Sequence, residues 1–216
     1  MNDSFSTHDK EKIRIFQLLE YERALWSRGM RFVAGVDEAG RGPLAGPVVA
    51  AAVVFPPNIC ISGIDDSKKI THSRRVELCQ MIQKEAISFS VGVVCEKTID
   101  RINILQASLE AMRLALEKLS VAPEHVFIDG SFIPDVSYER TPIVKGDQKC
   151  YSIAAASIIA KVTRDEMMEN YDRMYPQYGF AKHKGYCTRD HIAALKKYGW
   201  SPIHRRSFKV KGLQLS

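Results

Sequence analysis

The feature that most constrains the fold is a pair of apolar segments in the first quarter of the chain. Residues 31–37 read Arg-Phe-Val-Ala-Gly-Val-Asp, and residues 47–55 read Pro-Val-Val-Ala-Ala-Ala-Val-Val-Phe. Neither segment alternates between apolar and polar positions, which is typical of strands that are buried on both faces of a sheet. Other elements of the chain must therefore cover both faces of a central sheet.

The rest of the chain alternates between helical and extended patterns. Apolar residues at helical spacing predict helices at 9–26, 71–87, 98–119, 150–171 and 189–198, the third beginning at Thr98 as N-cap. Short apolar runs predict further strands at 88–95, 125–128 and 142–144. Short connections between such elements indicate an α/β fold with a mixed central sheet of about five strands flanked by helices. A helical C-terminal extension follows.

Length and composition fit one domain with small additions. A chain of 216 residues can bury a full core without disulfides or a structural metal. We divide it into an N-terminal helical extension at 1–30, a main domain at 31–180 and a basic helical segment at 181–216 packed on that domain.

The sequence indicates a cytoplasmic protein. It contains no run of about 18 apolar residues that could span a membrane. The N-terminal segment is polar along most of its length and lacks the apolar core of a signal peptide. The 5 cysteines are scattered and odd in number, which favours free thiols in a reducing compartment. We expect a monomer without membrane contact.

Positive charge gathers late in the chain. The formal net charge is +6, a modest indication of a polyanionic partner. We predict that Lys182, Lys184, Arg205 and Arg206 contact phosphates, the alternative being a solvated face.

Acidic residues follow three of the predicted strands. Asp37 and Glu38 close the first strand, Asp129 closes the fourth, and Asp147 lies just past the fifth. If these strands are neighbours with matching direction, the four carboxylates meet at one edge of the sheet, where α/β sheets bind ligands. Such a cluster repels itself unless cations such as Mg²⁺ or Mn²⁺ lie within it. Each acidic residue alone could be an ordinary turn or a solvated strand end.

The loop after the first strand could bind phosphate. Adjacent residues of an ideal strand point to opposite faces, so Asp37 and Glu38 can share a site only if the strand ends or bulges there. Gly40 and Gly42 would permit such a break, and the backbone of a Gly-Arg-Gly loop can approach a phosphate while Arg41 adds a forked contact. An ordinary tight turn is the alternative.

Taken together, the motifs resemble those of the ribonuclease HII family. The longest is Val-Asp-Glu-Ala-Gly-Arg-Gly-Pro-Leu-Ala-Gly-Pro-Val at 36–48. Shorter matches follow in order at 66–69, 128–130, 145–147, 154–165 and 183–186, so the resemblance runs from about Arg31 to Phe208. It implies a ribonuclease H-like fold for the main domain. It also implies hydrolysis of the RNA strand of RNA–DNA hybrids and cleavage on the 5′ side of single ribonucleotides in duplex DNA.

The resemblance also implies roles for individual residues. Two Mg²⁺ or Mn²⁺ ions would be held by Asp37, Glu38, Asp129 and Asp147. The substrate would be contacted by Gly40, Arg41, Gly42, Lys68, Lys69, Lys184 and Tyr186, with the glycine loop sensing the ribose 2′-hydroxyl and Tyr186 stacking on the next sugar. Asp165 lies within a helix, so we expect it to support the site rather than bind metal.

Two positions depart from the family pattern. Cys187 stands where glycine or proline is expected, and no proline follows soon after Phe208.

Three other functions remain open. The alternatives are a related nuclease acting only on long hybrids or on branched DNA, a non-catalytic hybrid-binding module, and a magnesium-dependent phosphotransfer enzyme for small molecules.

Overall fold

The computed structural model describes residues 6–65, 67 and 70–209. Within these ranges, the strands form one mixed sheet in the order β3-β2-β1-β4-β5. The strands are β1 (Val33–Ala39), β2 (Val48–Val54), β3 (Ser88–Val94), β4 (His125–Asp129) and β5 (Glu139–Ile143). β2 is antiparallel to β1 and β3, whereas β4 is parallel to β1 and β5. The predicted α/β fold with a mixed five-stranded sheet is confirmed.

Helices cover both faces of this sheet, as the apolar strands require. The helices are α1 (Thr7–Leu18), α2 (Glu20–Trp26), α3 (His72–Glu85), α4 (Glu96–Ile102), α5 (Ile104–Glu117), α6 (Tyr151–Met174), α7 (Phe180–His183) and α8 (Arg189–Tyr198). α6 covers one face, and α5 covers the other. Both helices lie close to the sheet, and glycine makes this approach possible. A Cβ on Gly35 would collide with the Ser152 backbone, and one on Gly92 with the Ala111 carbonyl.

The predicted helix at 98–119 is wrong as a single element. The chain breaks at Asn103, which adopts a φ of +68° and accepts a hydrogen bond from the Gln106 N–H as the N-cap of α5. Asparagine tolerates a positive φ better than most residues and is a strong N-cap. Thr98 therefore lies inside α4, whose N-cap is Cys95. The predicted helix at 9–26 is likewise divided, at Leu19, between α1 and α2.

The fifth strand begins earlier than predicted. β5 starts at Glu139, and its first three residues are polar, so a search for apolar runs misses them. An edge strand needs an apolar face only where it meets the core, and it tolerates Pro142 because one side of its backbone is unpaired. The last residue, Ile143, is buried and pairs with Asp129 of β4.

The C-terminal segment packs on the main domain through a small apolar cluster. Met168 of α6 and Ala45 meet Phe180, Leu195 and Ile203 there. No helix within the described ranges is long and apolar enough to cross a membrane. All five cysteines are free thiols. The division of the chain at residues 30 and 180 stays a prediction.

The N-terminal helices are joined to the main domain by a buried carboxylate. Glu22 of α2 is 1% exposed, and its Oε1 accepts hydrogen bonds from the Ser152 N–H at 2.7 Å and the Ser152 hydroxyl at 2.7 Å. Ser152 is the second residue of α6, where the backbone N–H has no partner within the helix. Glu22 thus caps α6 from a distant part of the chain.

We expect Glu22→Ala to lower the free energy of unfolding by about 2–4 kcal/mol, because it removes the acceptor of three buried donors, the Ser152 N–H, the Ser152 hydroxyl and the Cys150 thiol. Glu22→Gln keeps an acceptor at the same place and should lose much less. The exposed Glu20→Ala is the control and should change stability by less than about 0.5 kcal/mol. Urea denaturation measures all three variants, and equal stability of Glu22→Ala and Glu20→Ala would contradict the capping role.

Candidate active site

The predicted meeting of carboxylates at one sheet edge is present. β1 and β4 are parallel, and the pairing of Val36 with Ile128 places Asp37 and Asp129 side by side at the carboxyl ends of the two strands. Asp37, Glu38 and Asp129 line one cavity of about 220 Å³. Asp147 lies in the 3₁₀ turn that follows β5 and is 5% exposed. The charge of Asp147 acts on Asp37, so all four carboxylates form one electrostatic cluster.

The burial and the mutual repulsion of these carboxylates shift the pKa values of Asp37 and Glu38. Burial raises the pKa of Asp37 well above its usual range, and the charges of Glu38, Asp129 and Asp147 raise it further. Burial also raises the pKa of Glu38, while Arg41, 3.2 Å from Glu38 Oε1, acts in the opposite direction. Clustered, buried carboxylates of this kind gain stability from a bound cation.

Asp37 and Glu38 share the cavity without the strand break that we expected. β1 continues through both residues to Ala39. The side chain of Asp37 turns along the backbone, so that its Oδ1 accepts a hydrogen bond from the Glu38 N–H at 2.7 Å. Gly40, with a φ of +99°, then ends the strand. The two carboxylates therefore reach the same cavity from consecutive strand positions.

A tight turn brings the third strand end to the second. The Gly146 N–H donates to Asp129 Oδ1 at 2.6 Å, directly before Asp147. A Cβ on Gly146 would lie 2.6 Å from the end of the Ile153 side chain of α6, so glycine lets the turn approach without moving that side chain. Lys145 adopts the left-handed conformation that directs the turn.

The Gly-Arg-Gly loop is held by two buried arginines. Arg205 donates to the carbonyls of Gly40, Arg41, Pro43, Gly46 and Pro47 at 2.6–3.1 Å. Arg164 of α6 donates to the carbonyls of Ala45, Pro47 and Lys184 at 3.0–3.1 Å. A Cβ on Gly40 would collide with the Arg164 side chain. The predicted phosphate contact by Arg205 is wrong, because its side chain is buried and fully engaged with the backbone.

Tyr186 faces this loop across the mouth of the cavity. Its ring lies 3.7 Å from the position that a Cβ on Gly42 would take, and the residue is 45% exposed. Gly40, Arg41, Gly42 and Tyr186 all line the same cavity as the carboxylates. The structure thus places the predicted loop, the predicted aromatic residue and three predicted metal ligands around one opening.

The other residues predicted to contact the substrate lie outside the described residues, form ion pairs within the protein, or are exposed. Lys68 and Lys69 lie outside the described residues. Lys184 pairs with Glu169 at 2.6 Å, and Lys182 pairs with Asp190 at 2.6 Å. Arg206 is exposed.

Lys161 is a site residue that the sequence analysis missed. It lines the cavity together with Ser67 and Ser157. Its Nζ lies 2.6 Å from Asp165 Oδ1, and Arg75 lies 3.8 Å from the other oxygen of Asp165. Asp165 thus holds a cation beside the carboxylates, and its supporting role in the site stays a prediction. The four-residue spacing of Lys161 and Asp165 on a helix whose small residues face the sheet could have indicated this pair.

The donor set fits magnesium or manganese. Among the residues that the structure describes, no three acidic, histidine or cysteine side chains already enclose a single point as a preformed metal cage. Magnesium is commonly bound by one or two carboxylates, with water and substrate phosphate supplying the other ligands. Neighbouring carboxylates at an open strand edge meet this requirement.

A solved structure shares this architecture. The crystal structure of the ribonuclease H2 from Pyrococcus horikoshii OT3 matches with a TM-score of 0.69 and 30% sequence identity, over 82% of this chain and 94% of that chain. The fold and the carboxylates at its sheet edge define a protein of the ribonuclease H-like class.

Sequence comparison identifies the family. The ribonuclease HII family model matches residues 34–211. Ribonuclease HII of Acetivibrio thermocellus is 53% identical over 201 residues, covering 93% of this chain and 78% of that protein. Ribonuclease HII of Moorella thermoacetica is 52% identical over 199 residues, covering 92% and 97%. The chain belongs to the ribonuclease HII family. It is accordingly an endoribonuclease for RNA–DNA substrates, and its α1 and α2 precede the matched range.

In the presence of a chelator, Asp37→Asn should raise the melting temperature at pH 7 by about 2–6 °C. The pKa of Asp37 is higher in the folded chain, so ionisation of this carboxyl costs stability as the pH rises above about 4. The amide cannot ionise, yet it keeps an acceptor for the Glu38 N–H.

The gain should shrink toward pH 4, where the wild-type carboxyl is also protonated. Calorimetry from pH 4 to pH 8 measures it, with the exposed Asp135→Asn as a control that should melt like the wild type. A constant difference between Asp37→Asn and the wild type across this range would argue against repulsion within the cluster.

Proposed function

We propose that this chain hydrolyses the RNA strand of RNA–DNA hybrids and also cuts duplex DNA on the 5′ side of a single embedded ribonucleotide. Asp37, Glu38, Asp129 and Asp147 would hold two Mg²⁺ or Mn²⁺ ions. The observation that carries this proposal is the placement of the Gly-Arg-Gly loop and Tyr186 at the opening of the carboxylate cavity.

The carboxylates would contribute to the chemistry through the divalent metal ions that they hold. Two divalent ions, when bound, would activate a water molecule and stabilise the leaving oxygen of the phosphodiester, giving 3′-hydroxyl and 5′-phosphate ends. Lys161 lies in the same cavity and is held by Asp165, so its ammonium group can neutralise a phosphate oxygen beside the reacting centre.

The glycine loop would distinguish ribose from deoxyribose. The 2′-hydroxyl is both a donor and an acceptor, so a site that reads it needs polar groups in fixed positions. Backbone groups of Gly40, Arg41 and Gly42 can approach a sugar closely because the two glycines carry no side chain. The exposed guanidinium of Arg41 can hold the flanking phosphate and set the register.

Tyr186 would contact the sugar on the neighbouring nucleotide. Its ring is exposed and faces Gly42, which suits stacking on a deoxyribose. An additional hydroxyl on that sugar would crowd the ring. Cys187 is exposed beside it, so the departure from the family pattern lies at the surface next to the contact.

The decisive experiment uses labelled duplex DNA that carries one ribonucleotide. With Mg²⁺ or Mn²⁺ the wild type should cut it on the 5′ side of the ribonucleotide, and a chelator should stop the reaction. Asp147→Asn keeps the shape of the side chain but weakens metal ligation, so turnover should be nearly abolished while the hybrid is still bound. Duplex DNA without a ribonucleotide should remain intact.

Cleavage of long hybrids without cleavage of this duplex under either metal would favour the narrower nuclease alternative. Binding of the hybrid without any cleavage would favour the non-catalytic module. Near wild-type turnover by Asp147→Asn would remove Asp147 from the metal site.

Substitutions of Tyr186 test the stacking contact. Stacking needs the ring and not the hydroxyl, so Tyr186→Phe should keep kcat/KM on the single-ribonucleotide duplex within about twofold. Tyr186→Ala should lose roughly tenfold or more. Steady-state kinetics measure both, and an equal loss in the two variants would indicate a hydrogen bond from the hydroxyl instead.

A further inference from the structure

Three buried histidines lie directly behind Tyr186. His183, His191 and His204 are 7%, 0% and 2% exposed. The rings of His183 and His191 are stacked with centroids 4.3 Å apart, and His204 lies against His191. None of them lines the carboxylate cavity, so the chemistry proposed above does not use them.

The partners of His191 determine its tautomer. Its Nδ1 lies 2.9 Å from the carbonyl oxygen of Tyr186. A carbonyl oxygen can only accept, so Nδ1 carries the proton and donates it. In the neutral ring, Nε2 is then an acceptor.

The partners of His204 determine the complementary tautomer. Its Nδ1 lies 2.9 Å from the Ser201 N–H and 2.7 Å from the Ser201 hydroxyl. A backbone N–H can only donate, so Nδ1 is the acceptor and Nε2 carries the proton. That proton points at His191 Nε2, 3.0 Å away.

The result is a hydrogen-bond relay with one direction, from Ser201 through His204 and His191 to the Tyr186 carbonyl. Protonation of His191 would set two N–H groups against each other across the 3.0 Å contact, and protonation of His204 would set its Nδ1–H against the Ser201 N–H. Burial lowers the pKa of His191 and of His204 to about 4, so both rings are neutral at pH 7. The relay is therefore intact under conditions in which a nuclease is assayed.

The backbone that carries the Tyr186 side chain is fixed by the relay and by further hydrogen bonds. The Tyr186 N–H donates to the His183 carbonyl at 2.9 Å, and the Gly185 N–H donates to His183 Nδ1 at 3.2 Å. The Gly185 carbonyl accepts from the Leu44 N–H at 2.8 Å, which links this turn to the glycine loop. The ring itself stays exposed, so its direction is set by the backbone behind it.

We propose that His191, supported by His204, is a positioning residue that sets the approach of Tyr186 to the substrate. This role rests on the function proposed above for Tyr186. His191 never touches the substrate, and it acts through the carbonyl group of Tyr186.

Two amide substitutions of His191 distinguish a positioning role from a packing role. In His191→Asn the amide nitrogen takes the place of Nδ1 and still donates to the Tyr186 carbonyl. In His191→Gln the amide reaches the place of Nε2, and that donor is lost. Both variants remove a buried ring, so we expect similar losses in melting temperature.

Their kinetics on the single-ribonucleotide duplex should differ. For His191→Asn we expect a kcat/KM within about threefold of the wild type, and for His191→Gln a loss of about tenfold, mostly in KM. Equal kcat/KM values for two folded variants would overturn the proposal. In a Tyr186→Ala background the difference should disappear, because His191 acts through that residue, and a persistent difference would also overturn it.

A spectroscopic measurement on the wild type needs no variant to fold. Long-range ¹H–¹⁵N spectra of the imidazole rings at pH 7 should show a proton on Nδ1 of His191 and on Nε2 of His204. The opposite tautomers or a charged ring would overturn the relay alone. If instead Tyr186→Ala cuts like the wild type, the function proposed for Tyr186 is wrong, and the positioning role falls with it.

Discussion

The site depends on the burial of two guanidinium groups beneath the glycine loop. Arg205 and Arg164 bind the carbonyls that line the underside of residues 40–47. Burial, together with the nearby charge of Arg164, lowers the pKa of Arg205 to about 9. Two desolvated cations are tolerated because their donors meet backbone acceptors that would otherwise be unsatisfied. The loop is thereby fixed before substrate arrives, which is what the recognition of one hydroxyl group proposed for it requires.

Sequence patterns predicted what depends on local periodicity and strand direction. The carboxylates could be predicted because acidic residues directly after apolar strands meet wherever those strands are parallel neighbours, as β1 and β4 are. Arg205 could not, since nothing in the run His-Arg-Arg distinguishes a buried guanidinium from the exposed one beside it. Its partners lie about 160 positions earlier in the chain, so only the folded arrangement identifies them. The pairing of Lys161 with Asp165 could have been predicted from their spacing, but the position of Lys161 beside the carboxylates appears only once α6 lies across the ends of the strands.

The carboxylate cluster opposes the stability of the fold that presents it. Asp37 is buried among three like charges, and a chain without a cation bears that repulsion in its folded state alone. The surrounding structure offsets the cost through tightly packed elements close to each carboxylate. β1 lies under α6 at Gly35, Gly146 lies against Ile153, and Glu22 caps the start of the same helix. The N-terminal helices, which precede the range matched by the family model, therefore take part in holding the site.

The glycine loop and the turn that carries Tyr186 flank the cavity. They are held by different kinds of side chain, and hydrogen bonds connect the loop to the turn. Cationic arginines hold the glycine loop, whereas neutral histidines hold the turn that carries Tyr186. Arg164 spans both, because it donates to Ala45 and to Lys184, and Leu44 pairs with Gly185 on one side and with Arg205 on the other. Loop and turn therefore cannot move apart without breaking several buried hydrogen bonds at once. The sugar discrimination proposed for Gly42 and Tyr186 requires a gap of fixed width between them, because a gap that adjusted to each substrate could not select by shape.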